Sequence, residues 1–168
     1  MKVIRVKEEE LPVLADLASR VWHEYFPCIL SEGQIDYMVE KFQSFSAMME
    51  QIKSQGYEYY FLRESGINVG YMGLCLEEEK VFLSKLYLTK ENRGKGYSSK
   101  AFSFLEEYGA KKGKKAIWLT VNKYNTHTIN VYRHRGFSVV RSQICDIGNG
   151  YVMDDYVMEK EIQKKHER

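Results

Sequence analysis

The segment from residue 81 to residue 122 constrains the fold of this chain more than any other. Its two ends, VFLSKLYL (81–88) and AIWLTVN (116–122), have the length and the apolar composition of strands. Between them, residues 98–112 place apolar side chains at helical spacing, and Gly113 ends the helix. A strand, a helix and a second strand in this order form a crossover, so the two strands are expected to be parallel.

The rest of the chain predicts hairpins and further helices. Alternation predicts a first strand over 3–7, and helical spacing predicts a helix over 11–25 that Pro27 ends. Ser31, followed by Gln34, has the pattern of a capping box and starts a second helix that continues to about Lys53. The remaining elements are strands over 57–64 and 68–78, a short helix over 126–135 between its cap Asn125 and Gly136, and closing strands over 137–147 and 151–162.

These elements define the predicted fold class, which is α/β (α+β). The order βααβββαβαββ gives a mixed, mostly antiparallel central sheet with one parallel strand pair and helices on both faces. The length of 168 residues and the hydrophobic content of 44% suit one globular domain. Residues 1–168 are therefore expected to form a single domain.

The balance of charge excludes some classes of partner. With 25 basic and 23 acidic residues, the formal net charge is +2, which argues against a protein that coats nucleic acid. No apolar run approaches the ~20 residues that a membrane-spanning helix needs. The start MKVIRVKEEELP also lacks the apolar core of a signal peptide. We therefore expect no membrane partner and a cytoplasmic location.

The cysteines and histidines do not form a metal-binding or redox pattern. Cys28, Cys75 and Cys145 are far apart in the sequence, without a CxxC pair, and are expected to be reduced, buried thiols. His127 and His134 could share a helix face, but no carboxylate or cysteine stands at ligand spacing beside them. No metal is therefore expected.

The loop ENRGKGYSSK (91–100) is the strongest candidate for a binding site. It follows a strand and opens a helix, whose first turn leaves about four backbone N–H groups without an internal acceptor. These donors and the helix dipole favour an anion, and Gly94 and Gly96 let a bulky group approach the backbone. Arg93 and Lys95 add positive charge. The loop is neither a Walker A motif nor a dinucleotide fingerprint, and a solvated basic turn is the alternative interpretation.

Two stretches resemble the GNAT superfamily of N-acetyltransferases. RGKGYS (93–98) is similar to that family's R-x-x-G-x-[G/A] signature for acetyl-coenzyme A, and NTHTINVYRHRGF (125–137) is similar to its N-x-x-A-x-x-x-Y-x-x-x-G-F stretch. The two stretches lie in the expected order, and the resemblance covers about residues 1–163. The departures are Ser98, where the family prefers glycine or alanine, and Thr128, where alanine is usual. Within the family, the chain looks most like bacterial spermidine/spermine (polyamine) acetyltransferases.

The resemblance implies the GNAT acyl-CoA N-acyltransferase fold, whose parallel strands splay apart, with acetyl-CoA as the acyl donor. The positions that match the pyrophosphate site are Arg93, Gly94, Lys95, Gly96, Tyr97, Ser98 and Ser99. The pantetheine arm is expected to pair with Leu86, Tyr87 and Leu88, and the Leu88 amide is expected to polarise the thioester carbonyl. Lys85 interrupts the apolar spacing, which is consistent with a strand distortion just before this point.

Tyr132 is the candidate catalytic side chain. It lies seven residues after Asn125, so both side chains are expected on nearly the same helix face. The resemblance implies that Tyr132 contacts the cofactor and protonates the departing thiolate as general acid. Asn125 and Arg135 are the further expected cofactor contacts. The alternative interpretation of Tyr132 is an aromatic residue of the core.

The amine acceptor must lose a proton before it attacks, because an alkylammonium group has a pKa near ~10.4. Four carboxylates without a specific motif are candidate bases: Glu24, Glu58, Glu77 and Asp155. The stretch WHEYFP (22–27) and the start of the second helix resemble the wall of the family's acceptor pocket. The substrate contacts expected from that resemblance are Trp22, His23, Glu24, Tyr25 and Phe26.

The resemblance thus implies an acetyl-CoA-dependent N-acetyltransferase that acts on a primary amine of a small molecule, such as a polyamine, by direct attack on the thioester. Two alternatives stay open: acetylation of a protein or peptide amine, and a non-catalytic acyl-CoA-binding regulatory domain. A nucleic-acid-binding module built on the basic residues of 90–115 is disfavoured by the balanced charge. The late strands could also supply the interface of a homodimer.

Overall fold

The structure, a computed structural model, describes residues 1–163. Within these residues, seven strands and five α-helices follow one another. In order they are β1 (Lys2–Arg5), α1 (Leu11–Tyr25), α2 (Glu32–Met38), α3 (Phe45–Ser54), β2 (Tyr57–Glu64), β3 (Ile67–Leu76), β4 (Lys80–Leu88), α4 (Tyr97–Lys111), β5 (Ala116–Asn122), α5 (Thr126–His134), β6 (Ser138–Gly148) and β7 (Tyr151–Glu161). Short 3₁₀ turns cover Glu8–Glu10 and Lys90–Asn92, and a π-helical turn covers Val39–Gln43.

The prediction of one long second helix was wrong, because the segment from residue 32 to residue 54 contains three pieces. The Ser31 side chain caps α2 by accepting a hydrogen bond from the Gln34 amide, as the sequence predicts. The π-helical turn follows α2 directly. Ser44 then takes extended dihedrals (φ −75°, ψ 161°), and its side chain accepts from the Ala47 amide. A second serine cap therefore starts α3 as a new helix.

The sheet has the strand order β1-β2-β3-β4-β5-β7-β6. Strands β4 and β5 are parallel, as the crossover predicts, and their register runs from Lys80↔Ala116 to Phe82↔Trp118. The β1–β2, β2–β3, β5–β7 and β6–β7 pairs are antiparallel. The predicted mixed, mostly antiparallel sheet with one parallel pair is therefore confirmed.

The chain divides into two compact units, which are described separately below. The first unit contains residues 1–76 and 83–105, and the second contains residues 77–82 and the chain from residue 106 onward. The single domain over residues 1–168 stays a prediction, and residues 164–168 lie outside the described residues. Within residues 1–163, no helix has both the length and the apolar character that crossing a membrane requires.

The first unit has two apolar clusters. The larger one packs α1, through Leu14, Ala18 and Val21, against Phe61 of β2 and Tyr71 of β3, all of them buried. Burial of apolar side chains of this size contributes roughly 1.5–3 kcal/mol each. The smaller cluster consists of the buried residues Leu62, Val69 and Ala101. Three partly buried residues pack against it: Leu86 and Leu88, at the end of β4, and Tyr97.

The second unit packs α4 closely against its strands. A Cβ on Gly109 would stand 2.7 Å from Ile162 Cδ1 and 3.2 Å from Val81 Cγ2, so a larger residue here would require these side chains to move. Strand β6 lies at the edge of the sheet, and most of its residues are exposed. Val140 and Ile144 are 50% and 68% exposed there.

The expectation of buried cysteines was wrong, although none of the three cysteines forms a disulfide within the described residues. Cys28 is exposed in the turn that follows α1, and Cys145 is exposed on the edge strand β6. Only Cys75 is partly covered, and its Sγ lies 3.1 Å from the Gln55 carbonyl oxygen. Distance in the sequence excludes a local pair of cysteines but carries no information about burial.

Candidate functional site

The glycine loop leaves β4 from a fixed point. Thr89 is fully buried, and its amide donates to the Val69 carbonyl at 3.0 Å. Its hydroxyl accepts a hydrogen bond of 2.6 Å from the Asn92 side chain. The loop from Arg93 to Gly96 then leads directly into α4, which begins at Tyr97. A rigid start and a helix at the end hold this short loop in one position.

The backbone of the loop is open. Gly94 and Gly96 have φ angles of +75° and +81°, which residues with a side chain rarely adopt. Apart from the adjacent residues, no atom of residues 1–163 lies within 4 Å of the positions that their Cβ atoms would take. Lys95 and Ser99 are exposed, and Ser98 is half-buried. The first-turn amides of α4 and this open backbone fit a phosphate-bearing group.

Arg93 borders the loop on its inner side. Its Nε donates to the Leu88 carbonyl at 3.3 Å, and its guanidinium carbon lies 4.7 Å from the centroid of the Tyr25 ring. Its Nη2 is buried and has no hydrogen-bond partner within residues 1–163. A buried guanidinium donor without an acceptor costs free energy, so this side chain is suited to hold an anionic oxygen.

The faces of β4 no longer alternate regularly near Lys85. The Tyr57 hydroxyl donates to Ser84 Oγ at 3.1 Å, and the Lys85 ammonium donates to the Tyr59 hydroxyl. Tyr57 and Tyr59 are stacked on one face of β2. Successive residues of a regular strand point to opposite faces. The alternation is therefore interrupted between Ser84 and Lys85, as the sequence of β4 indicates.

Gly70 of β3 supports the end of β4, and the sequence analysis missed it. A Cβ on Gly70 would stand 2.3 Å from the Tyr87 carbonyl oxygen and 2.9 Å from Leu88 Cδ2. Real atoms do not approach so closely, so only glycine fits at this position. The available signal was a glycine inside a predicted strand, which often marks a close approach of another backbone.

Aromatic side chains surround Tyr87. Its ring centroid lies 5.7 Å from that of Trp22, 6.0 Å from that of Phe26 and 6.3 Å from that of Tyr25. Trp22 and Phe26 are buried, whereas Tyr25 and Tyr87 are half-buried. The structure therefore brings three of the expected acceptor contacts together with an expected cofactor contact. Of these three, Tyr25 offers the most accessible surface.

His23 and Glu24 lie outside this aromatic group, on the exposed side of α1. The His23 ring nitrogens lie 2.7 Å from the Ser19 carbonyl oxygen and 2.6 Å from a carboxylate oxygen of Asp36. The hydrogen bond with Asp36 raises the pKa of His23. A carboxylate oxygen of Glu24 accepts from the Lys90 amide at 3.3 Å. His23 therefore joins α1 to α2, and Glu24 joins α1 to the turn that precedes the glycine loop.

The second unit carries the expected contacts of α5. Asn125 is buried and stands at the N-cap position of α5, as predicted, although its side chain makes no capping hydrogen bond. The half-buried Tyr132 ring packs against Phe137 at a centroid distance of 5.8 Å. Arg135 lines a shallow groove of about 460 Å³ along α5, together with His127, Asn130, Val131 and His134.

The four candidate bases differ in their surroundings. Glu58 accepts hydrogen bonds of 2.8 Å from both Arg5 and the Tyr60 hydroxyl. Glu77 accepts from the Trp118 indole at 2.5 Å. Asp155 is buried, and this burial, together with the neighbouring Asp154, raises its pKa to about 6. A carboxylate with such a pKa accepts protons near neutral pH better than an ordinary aspartate does.

The comparisons with known proteins agree with this geometry. Residues 16–137 match the acetyltransferase (GNAT) family. An uncharacterized N-acetyltransferase from Lactobacillus delbrueckii subsp. lactis is 23% identical over 95% of this chain and 96% of its own length. The PaiA N-acetyltransferase of Thermoplasma acidophilum, solved in complex with coenzyme A, has a TM-score of 0.79 at 22% identity, covering 95% of this chain and 98% of that one.

A chimera of the Vibrio cholerae spermidine N-acetyltransferase SpeG with hSSAT also has this fold, with a TM-score of 0.68 at 15% identity. The alignment covers 96% of each chain. The family match spans most of the chain, so the chain belongs to the GNAT family. It is an N-acetyltransferase that uses acetyl-CoA as acyl donor, and the predicted GNAT fold is confirmed.

Proposed function

We propose that this chain transfers an acetyl group from acetyl-CoA to a primary amine of a small molecule, with a polyamine as the first candidate acceptor. The observation that carries this proposal is the open glycine loop at the start of α4. Its two glycines have positive φ angles and free space around them, and Arg93 beside them has an unused buried donor. Such a loop is suited to the phosphates of a coenzyme A molecule.

Two segments of the first unit are proposed to bind the donor: the glycine loop and the end of β4. The amides from Gly94 to Ser99 hold the pyrophosphate, with Arg93 at its edge. The backbone of Leu86, Tyr87 and Leu88 pairs with the pantetheine arm, and the Leu88 amide donates to the thioester oxygen. The side chains of Leu86 and Leu88 pack in an apolar cluster. The contacts proposed for these residues with the pantetheine arm are therefore made by their backbone groups. Bound acetyl-CoA supplies the activated acetyl group.

We further propose that the Tyr132 hydroxyl holds the proton that the leaving thiolate receives. The backbone and the ring of this residue are both fixed. Its carbonyl accepts from the Arg135 and Phe137 amides, each at 3.0 Å, and its ring packs against Phe137. Asn125 and Arg135, at the two ends of α5, are the other proposed cofactor contacts of the second unit.

The aromatic group around Tyr87 supports an amine acceptor. Half-buried Tyr25 and Tyr87 offer ring faces beside the buried Trp22 and Phe26. An alkylammonium group favours aromatic faces and carboxylates, and a polyamine carries several such groups.

The exposed apolar residues of β6 support the expected homodimer, which light scattering of the purified protein would test.

A thiol-release assay tests the proposed function. Purified protein receives acetyl-CoA and, in separate reactions, polyamines, aminoglycosides, amino acids and peptides. We expect the fastest release of coenzyme A with a polyamine. Release with peptides alone would show a protein N-acetyltransferase instead. Coenzyme A binding without turnover of any amine would show a non-catalytic domain.

The same assay tests Tyr132. A general acid contributes a factor of about 10²–10⁴ to the rate, so Tyr132→Phe should lower kcat by about 100-fold or more. The dissociation constant for coenzyme A should stay within about twofold, because the ring and its packing against Phe137 remain. An unchanged kcat would remove Tyr132 from this role.

A further inference from the structure

The side chain of Lys85 is buried in the first unit, with only 5% of the residue exposed. Its ammonium donates three hydrogen bonds to three different elements. The acceptors are the Phe42 carbonyl in the π-helical turn at 2.6 Å, the Gln51 side chain of α3 at 3.1 Å, and the Tyr59 hydroxyl of β2. An ammonium group has three protons, so all of its donors are used.

The acceptors of Lys85 also bond to one another. The Tyr59 hydroxyl donates to the Gln51 oxygen, and the Gln51 nitrogen donates to the Phe42 carbonyl at 3.1 Å. Next to this network, the buried Gln43 side chain accepts from the Tyr71 hydroxyl at 2.9 Å. Two consecutive residues of the π-helical turn, Phe42 and Gln43, are therefore held by buried polar groups of the sheet.

Among residues 1–163, no carboxylate forms an ion pair with Lys85 that would stabilise the ammonium. The titratable groups facing it are the phenols of Tyr57 and Tyr59 on β2, and Cys75 and Tyr71 lie on the neighbouring β3. Burial raises the pKa values of all three phenols, so they are neutral at physiological pH. Burial also lowers the pKa of Lys85 to about 7.

Lys85 is thus attached to two regions of the proposed site. Its backbone belongs to β4 and directly precedes Leu86, the first residue proposed to pair with the pantetheine arm. Its ammonium is bonded to the π-helical turn that directly follows α2. The start of α2 is part of the acceptor wall that the resemblance implies. Turns of this type are rare, and they occur often at functional sites.

We propose that Lys85 is a positioning residue: its buried ammonium fixes the π-helical turn Val39–Gln43, and with it the α2 wall of the acceptor site, to the strand that holds the donor. This role rests on the proposed function, because it assumes that α2 borders the acceptor. The protonated side chain supplies three donors to the network, whereas the neutral amine supplies only two. Burial nevertheless lowers the pKa of Lys85, so the closed turn is more stable when Lys85 is neutral than when it is charged, although both forms donate to the network.

The Lys85→Met variant tests the role directly. The amine used is the one that the wild-type protein acetylates fastest. Lys85→Met removes all three hydrogen bonds of the ammonium, and the loss of one bond to a charged group already corresponds to about tenfold, so the KM for the amine should rise by about tenfold or more. The KM for acetyl-CoA should stay within about twofold. Lys53→Met, which removes an exposed lysine from α3, is the matched control and should change neither constant.

Amide hydrogen exchange tests the same role without a substrate. Exchange of the amides of residues 39–43 should be about tenfold faster in Lys85→Met than in Lys53→Met. In the wild-type protein, the protection of these amides, corrected for intrinsic exchange, should increase as the pH rises through about 7, because opening of the turn would return Lys85 to water and to its ordinary, higher pKa. Gln51→Glu places a carboxylate at the atom 3.1 Å from the ammonium, so it should move this step to higher pH.

The outcomes separate this proposal from the proposed function. If no amine is acetylated but the exchange of residues 39–43 responds as expected, the acceptor assignment fails and the fixing role of Lys85 stands. Unchanged exchange in Lys85→Met overturns the proposal, and so does a step near pH 7 that Gln51→Glu leaves in place. An amine KM and an acetyl-CoA KM that rise equally in Lys85→Met would also overturn it, because the variant would then disturb both sides alike.

Discussion

The glycines of the loop and the glycine behind it are needed for opposite reasons. Gly94 and Gly96 have positive φ angles and nothing within 4 Å of their absent Cβ atoms. Gly70 has no such φ angle, but a Cβ there would stand 2.3 Å from the Tyr87 carbonyl oxygen. The loop glycines provide a backbone conformation and open space, whereas Gly70 provides close contact between two strands.

The two loop glycines are therefore expected to matter for ligand binding, and Gly70 is expected to matter for the stability of the fold. Free space beside Gly94 and Gly96 does not stabilise the protein, so its value lies in what can enter it. The contact at Gly70 does stabilise the protein, because β3 and the end of β4 pack without a gap. Substitutions at the two places should therefore affect different measurements, and three predictions follow this division.

The largest effect on stability is expected for Gly70→Ala. The added methyl group meets a backbone oxygen, which cannot move as a flexible side chain can. Overpacking of this kind costs about 1–3 kcal/mol, and we expect a loss near the upper end in the free energy of unfolding measured with urea. A loss below about 0.5 kcal/mol would show that the strands separate easily at this point, and the contrast with the loop would disappear.

A smaller loss of stability is expected for Gly94→Ala and Gly66→Ala, and it should be the same in the two variants. Gly66 lies in the hairpin between β2 and β3, with a φ angle of +77° and no atom within 4 Å of its Cβ position. Each alanine must adopt a left-handed conformation, which costs about 1 kcal/mol. The two urea curves should therefore coincide. A much larger loss for Gly94→Ala would mean that the loop is packed instead of open.

Sequence patterns predicted the parts of the fold that depend on local spacing. The bounds of α1, β2 and β5 agree with the predictions to the residue, because their apolar periodicity and their end signals are both clear. The prediction of one long second helix was wrong because a serine at position 44 is compatible both with continuing a helix and with capping a new one. Phe42 and Gln43 of the π-helical turn accept buried hydrogen bonds from Lys85 and Tyr71, which lie far away in the sequence. The local pattern of residues 32–54 does not contain these contacts.

The candidate site shows the same limit. Gly94 and Gly96 could be identified because their neighbours in the sequence, a strand and a helix start, already define the loop. Lys85 was noticed only as an interruption, since its three acceptors come from α3, β2 and the π-helical turn. Gly70 requires knowledge of which strand lies beside β3. Contacts between distant segments are set by tertiary packing, which periodicity in one sequence does not contain.

The most direct test of the central claim measures coenzyme A binding by calorimetry for the wild-type protein, Gly96→Val and Gly66→Val. Both glycines have positive φ angles and open surroundings, so valine should strain the backbone equally at the two positions and reduce stability by a similar amount. If the loop amides hold the pyrophosphate, the loss of about two hydrogen bonds to charged oxygens should weaken coenzyme A binding about 100-fold in Gly96→Val. Binding to Gly66→Val should stay within about twofold of the wild-type value. Equal coenzyme A affinities for the two variants would contradict the assignment of the loop.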